Sequence, residues 1–131
     1  MSQFPKDLLY TKSHEWLRTL ADGTIEIGIT DHAQSALGDL VFVEVPEAGR
    51  TVAIGEACAV VESVKAASDV YSPIAGKVTT GNPLLVSEPE AVNKDPYGTG
   101  WLMRVRPADS TLPPGAMPAP DYEKFLATEG D

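Results

Sequence analysis

Lys65 is the residue of this 131-residue chain whose surroundings point most directly to chemistry. It stands in Glu62-Ser63-Val64-Lys65-Ala66-Ala67-Ser68-Asp69-Val70-Tyr71-Ser72-Pro73, where two strand-like runs meet with no glycine or proline between them. A lysine at a hairpin tip projects into water from a rigid base, which is where a covalent swinging arm must be mounted if it is to visit other proteins. Acylating the amine removes its charge and leaves a long, mobile, amide-linked chain. The attached cofactor then supplies the chemistry and the protein supplies position. A lone lysine in a polar turn is usually only a solvated charge, so the argument rests on its spacing. Gly49 lies sixteen residues before Lys65 and Gly76 eleven after, each expected at a turn on the far side of the domain, so that two similar halves put the lysine at their apex.

The alternatives are weaker. His14 and His32, without a cysteine or a closely spaced carboxylate, make a poor ligand set, and no metal is expected. Cys58 sits among small apolar residues and is expected to pack in the core; as the single cysteine it cannot form an internal disulfide. No Ser-His-Asp, Cys-His or phosphate-loop arrangement is present, so a free-standing enzyme is not expected. A net charge of -9 argues against nucleic acid or an anionic membrane as a partner, and no segment is apolar enough to span a membrane. The start, Met1-Ser2-Gln3-Phe4-Pro5-Lys6-Asp7, resembles neither a signal nor a transit peptide, which leads to an expectation of a bacterial cytoplasm, or of a mitochondrial matrix for a processed form.

The elements that must position Lys65 are mostly strands. Ile25-Glu26-Ile27-Gly28-Ile29 alternates with period two, after an Asp22-Gly23 hairpin turn and a run from Glu15 to Leu20. Thr30 is placed to cap a short helix through Ala36-Leu37, closed by Gly38 in the left-handed conformation. Strands follow over 39–45, 51–54, 56–64, 67–71 and 76–80, with Ser72-Pro73 as a break. Residues 82–100 are expected as loop with one helical turn at Leu84 to Ser87, then a last strand from Trp101 to Arg106. Pro113-Pro114-Gly115 and Pro118-Ala119-Pro120 are expected as a stiff connection to a helix over about Asp121 to Thr128. Many short strands separated by turns predict a mostly β fold, a sandwich or partly open barrel with minor helices. One domain over 1–131 is expected, with a core over about 24–106 and a C-terminal linker and helix over about 107–131. Trp16 and Trp101 are assigned to the core.

The layout around Lys65 resembles that of biotinyl and lipoyl domains. Val64 and Ala66 stand where biotinyl domains carry methionines, which favours the lipoyl type, and Glu62 matches the acidic position that lipoate-attaching enzymes read. The longer chain resembles the glycine cleavage H protein family from about Tyr10 to Pro107. The resemblance is carried by Ser13-His14-Glu15-Trp16, Gly28-Ile29-Thr30-Asp31-His32-Ala33-Gln34, Leu37-Gly38-Asp39-Leu40-Val41-Phe42-Val43, the lysine segment, and Val92-Asn93, Asp95-Pro96-Tyr97-Gly98 and Gly100-Trp101-Leu102. Departures are Gly81-Asn82-Pro83, a stiffer stretch than the family's run into a helix, and Thr99, where an acid is frequent.

The resemblance implies a barrel-sandwich hybrid of two antiparallel sheets, and a monomeric, non-catalytic carrier bearing (R)-lipoate on Lys65. It implies that glycine decarboxylase loads an aminomethyl group onto the arm, that the arm folds into a cleft on the carrier, that aminomethyltransferase unloads it, and that dihydrolipoyl dehydrogenase reoxidises it. Ser13, Glu15 and Asp69 match positions that hold the aminomethyl amine, and carboxylates with a hydroxyl suit a protonated amine. The alternative for Glu15 and Asp69 is that they are ordinary surface carboxylates, an alternative nearly as strong for Glu15 because strand edges often carry charge. His32, in the first turn of the Thr30 helix, is a further candidate for the cleft wall. A relay that passes lipoate to other lipoyl-dependent enzymes needs the same Lys65 and Glu62, although a pure relay has no amine to shelter with Ser13, Glu15 and Asp69.

Overall fold

The computed structural model describes residues 5–108 and 116–129. The expected Pro113-Pro114-Gly115 connection and the first four residues of the N-terminal stretch lie outside the described residues. The chain opens with β1 (Leu9–Tyr10), β2 (Glu15–Thr19) and β3 (Ile25–Ile29). The β2–β3 hairpin turns at Gly23, whose φ of 89° is open to glycine, and the Asp22 carboxylate accepts from the Thr24 backbone N–H at 3.0 Å and its hydroxyl at 2.6 Å.

The period-two pattern of β3 marks a strand, but both of its faces are covered. Glu26 is buried and ion-paired with Arg18 and Arg104, each at 2.9 Å. Gly28 lies against the Trp16 indole so closely that an added Cβ would come within 2.7 Å of the ring.

Helix α1 (Asp31–Leu37) starts as the sequence predicts, with the Thr30 hydroxyl accepting from the Ala33 N–H at 3.2 Å. Its end differs. Gly38 has positive φ, 88°, but ψ of −167°, an extended turn rather than a left-handed cap. The chain must leave α1 straight into β4 (Leu40–Glu44), whose first N–H is held by the Asn93 side chain at 2.9 Å. A register shift between Leu40 and Phe42 then leaves Val41 and Phe42 exposed and turns Val43 inward.

β5 (Thr51–Val52), β6 (Ala57–Ser63), β7 (Ala67–Tyr71) and β8 (Gly76–Gly81) follow. Gly49 occupies a turn with φ of 94°. Gly76, expected at a turn, is instead the first residue of β8, paired with Val52 and Pro107. Its need is for smallness: an added Cβ would fall on the Arg106 carbonyl.

The region 82–100 carries more helix than its composition predicts. α2 (Leu84–Ser87) is joined by α3 (Ala91–Lys94), whose Ala91 and Val92 are buried. Gly81-Asn82-Pro83 does run into a helix, because the Asn82 side chain accepts from the Leu84 N–H and donates to the Thr99 and Trp101 carbonyls. The last long strand, β9 (Met103–Pro107), begins two residues later than expected, and Trp101 stays half-buried beneath the Arg104 guanidinium, 4.1 Å away. β10 (Met117–Pro118) leads into α4 (Ala119–Glu129), so Pro118 is strand and Pro120 lies in the first helical turn, where its missing N–H costs nothing.

The strands form two antiparallel sheets, one ordered β10-β1-β2-β3-β9-β8-β5 and the other β4-β6-β7. Ile29 of the large sheet packs with Leu40, Val43, Val61 and Val70 of the small one and with Leu85, Val92 and Leu102. Ile27, Val78, Met103 and Val105 fill the opposite end with Cys58, which is buried as expected; burial pushes its thiol pKa up to about 11. A third cluster joins α4 to the large sheet through Tyr122, Leu126, Tyr10 and Trp16.

Candidate functional site

The lysine turn is built by a serine. The Ser63 N–H donates to the Ala66 carbonyl at 2.8 Å, closing a two-residue loop of Val64 and Lys65. Neither loop residue has positive φ, since His14 is the only such non-glycine among the described residues. The turn therefore needs no glycine. Its free N–H groups are taken up by the Ser63 hydroxyl oxygen, which accepts from Lys65 at 3.3 Å and Ala66 at 3.1 Å. This leaves Val64 86% exposed and Lys65 in solvent at the end of the β6–β7 hairpin. Glu62 stands one residue before that turn, half-buried, with Phe42 and Ala67 as its cross-strand neighbours.

The Lys65 side chain is not directed away from the protein. It crosses Gly38, where an added Cβ would lie 3.1 Å from Cε and 3.6 Å from Nζ. Gly38 directly follows Leu37, which lines a cavity of about 470 Å³. Its walls come from α1 (Ala33, Ala36, Leu37) and from Ile29, Val61 and Val70, a surface suited to an aliphatic chain. Ser13, His14, Glu15, His32, Ser68 and Asp69 supply its polar lining. The structure thus brings Ser13, Glu15, Asp69 and His32 to one cavity, places Lys65 over Gly38 beside the lining residue Leu37, and leaves Glu62 on the hairpin outside it.

Glu15 is not the surface carboxylate that a strand edge allows. It is 2% exposed. One carboxylate oxygen accepts from the hydroxyls of Thr11 at 2.7 Å and Ser13 at 2.5 Å; the other accepts from the Tyr71 N–H at 3.3 Å. Burial raises its pKa above the ordinary carboxylate value, against the pull of the Ser13 and Thr11 hydroxyls. Among the described residues no lysine or arginine forms an ion pair with it. A buried carboxylate of this kind gains from a cation brought into the cavity. Asp69 is exposed on β7, two residues from the Tyr71 N–H that holds Glu15.

His14 and His32 approach with ring centroids 4.9 Å apart. Among the described residues no group of three or more histidine, cysteine, aspartate or glutamate side chains could hold a metal. Sequence reasoning passed over three residues that shape the site. Ser63 gave a signal as the small hydroxyl at the start of a glycine-free turn. Gly38 appeared only as a helix cap. Tyr122 gave none, because it reaches His14 and Thr30 from the far end of the chain.

Comparison with known proteins agrees with this geometry. The family model described as Glycine cleavage H-protein matches residues 8–129. The chain is 62% identical over 130 residues to the glycine cleavage system H protein of Halorhodospira halophila, covering 99% of this chain and 100% of that one. It is 56% identical over 129 residues to the protein of the same name from Alkalilimnicola ehrlichii, covering 98% and 99%. A crystal structure of a glycine cleavage system H protein from Mycobacterium marinum superposes with a TM-score of 0.83 at 40% identity, covering 98% of this chain and 100% of that one. With a family match along nearly all of its length, near-complete coverage of its relatives and the same fold, this chain belongs to the glycine cleavage H-protein family, the non-catalytic lipoyl carriers of the glycine cleavage system.

Proposed function

We propose that Lys65 is the lipoylated residue of this carrier and that the cavity lined by Leu37, next to Gly38, is where its arm withdraws. The observation that carries the reading is the course of the Lys65 side chain across Gly38, the neighbour of the cavity-lining Leu37, where the cavity holds a buried carboxylate that no lysine or arginine among the described residues pairs with. When attached, lipoate supplies a redox-active disulfide that takes up and gives back an aminomethyl group.

Every other part of the work falls to the chain. The Ser63-braced turn holds the Lys65 amide clear of the two sheets, so that glycine decarboxylase, aminomethyltransferase and dihydrolipoyl dehydrogenase can each receive the arm. Glu62, beside the turn, is the residue that lipoate-attaching enzymes recognise. Ile29, Ala33, Leu37, Val61 and Val70 exclude water from an aliphatic chain. Glu15, with Ser13 and Asp69, accepts hydrogen bonds from a protonated amine and neutralises its charge, and His32 closes the wall from α1. The carrier acts as one domain and a monomer in the bacterial cytoplasm. No helix among the described residues is long and apolar enough to cross a membrane.

The test is the intact mass of protein produced with lipoate available. A gain of one lipoyl group in the wild type, absent from Lys65→Arg, is expected, together with glycine-dependent carbon dioxide exchange by the decarboxylase in the wild type alone. A Lys65→Arg protein that still gains the group, or supports the exchange, would overturn the assignment.

A further inference from the structure

Two walls of the arm's cavity are separate pieces of chain. One is the Ser13-His14-Glu15 segment; the other is α1, which begins at the Thr30 cap. A side chain from a third, distant element bridges them. The Tyr122 hydroxyl, on α4, lies 2.8 Å from His14 Nδ1 and 2.8 Å from the Thr30 hydroxyl. Thr30 Oγ1 in turn accepts the Ala33 N–H that starts α1. Tyr122 is itself fully buried, and its ring stacks on Tyr10 with centroids 4.8 Å apart and planes 7° from parallel. Burial raises the Tyr122 pKa, so its hydroxyl keeps the proton that such a bridge shares.

His14 is the residue that most needs this tie. It has a φ of 72°, in the region few residues other than glycine enter, although histidine does so more readily than most. Its carbonyl also accepts from the Thr30 N–H at 3.0 Å, so backbone and side chain both bind the segment to the cap of α1. A strained residue persists only where its surroundings over-determine it.

We infer that Tyr122 is a positioning residue for the arm's cavity: its hydroxyl locks the His14 segment to the N-terminus of α1 and keeps the two walls closed over the carried group. The inference rests on the cavity being the arm's retreat. It gives α4, which the lysine hairpin does not need, a part in sheltering the cargo. Without shelter, water attacks the carried carbon: its bonds to sulfur and nitrogen break, formaldehyde and ammonia leave, and the thiol recovers a proton.

The experiment uses full-length Tyr122→Phe, with Tyr10→Phe as the control, because Tyr10 belongs to the same buried cluster but donates to the Pro5 carbonyl instead. On the unlipoylated chain, hydrogen exchange at the Ala33 amide is expected to quicken about fivefold in Tyr122→Phe, the factor set by one neutral hydrogen bond of ~1 kcal/mol. The His14 imidazole resonances are expected to move, and Tyr10→Phe to leave both unchanged. On loaded, lipoylated carrier freed of the decarboxylase, formaldehyde release is expected to rise by a similar factor in Tyr122→Phe, with the rate of Lys65 lipoylation unchanged. Wild-type exchange, His14 signals and retention in Tyr122→Phe would overturn the inference, as would equal losses in Tyr10→Phe. A wild-type carrier that releases formaldehyde as fast as a small-molecule aminomethyl thioether would instead overturn the cavity reading itself.

Discussion

Gly38→Ala tests the joint between helix, strand and lysine. With φ 88° and ψ −167°, Gly38 occupies a region that is essentially closed to residues with a Cβ. Two costs follow from the substitution, and their sizes differ. The backbone cost is about 1–3 kcal/mol, because the chain cannot relax: Gly38 N–H is bound to the Gln34 carbonyl at 3.0 Å and its carbonyl accepts from Asn93 at 2.9 Å. The contact cost is small, because the nearest atom to the new methyl is Lys65 Cε, part of a flexible stem that can move a few tenths of an ångström. For a domain of this length each kcal/mol lowers Tm by roughly 3–4 °C, so Gly38→Ala is expected to melt about 3–12 °C below wild type. Scanning calorimetry of the unlipoylated chain measures the drop. The initial rate of lipoylation, measured alongside, is expected to stay within about twofold, since displacing the lysine stem leaves the Ser63 turn intact. Gly23→Ala, with similar φ and no atom within 4 Å of the new methyl, is expected to show a comparable loss far from the lysine. A Gly38→Ala protein melting within about 1 °C of wild type would refute the argument from backbone conformation. A collapse of lipoylation with unchanged Tm would show instead that the Lys65 contact dominates.

Two further outcomes follow from the site. Ser63→Ala removes the acceptor for the Lys65 and Ala66 N–H groups, which should cost about 0.5–1.5 kcal/mol in chemical denaturation and slow lipoylation as the tip loosens; an unchanged lipoylation rate would argue that the attaching enzyme reshapes the turn itself. Glu15→Gln removes a carboxylate whose pKa is raised in the folded state mainly by burial. Between the unfolded and folded pKa values the folded state binds more protons, so wild-type stability falls as pH rises through that window. The stability of Glu15→Gln relative to wild type should therefore increase from acidic to neutral pH, in denaturation curves recorded across the range, while its retention of a cationic cargo weakens. A stability difference independent of pH would refute the assigned cause.

Much of this protein was legible in the residues alone, for local reasons. The alternation of Ile25 to Ile29, the Asp22-Gly23 turn and the Thr30 cap depend on neighbours within a few positions, and each stands where the spacing puts it. The lysine tip is local too: Ser63 to Ala66 close on themselves with hydrogen bonds that span three residues or fewer. Even so, local pattern misjudged features that depend on what packs opposite. It treated Gly76 as a turn when the need was clearance from the Arg106 carbonyl, and it passed over α3, a four-residue helix sustained by burial of Ala91 and Val92 and by the Asn93 contacts to Gln34, Gly38 and Leu40.

The cavity belongs wholly to the tertiary structure. The spacing of Ser13, Glu15, His32 and Asp69 along the chain does not say that five elements, β2, β3, α1, β6 and β7, meet around one space of about 470 Å³, nor that Glu15 lies buried at it. Carboxylate pKa, water exclusion and the course of the Lys65 side chain depend on through-space distances between β2, α1, β6 and β7, which sequence proximity does not encode. Sequence alone determined that a lysine would be mounted at the end of a stiff β hairpin, because strands and turns are short-range. Tertiary packing decided that this lysine would have a sheltered place beside it, because a cavity exists only between elements already brought together.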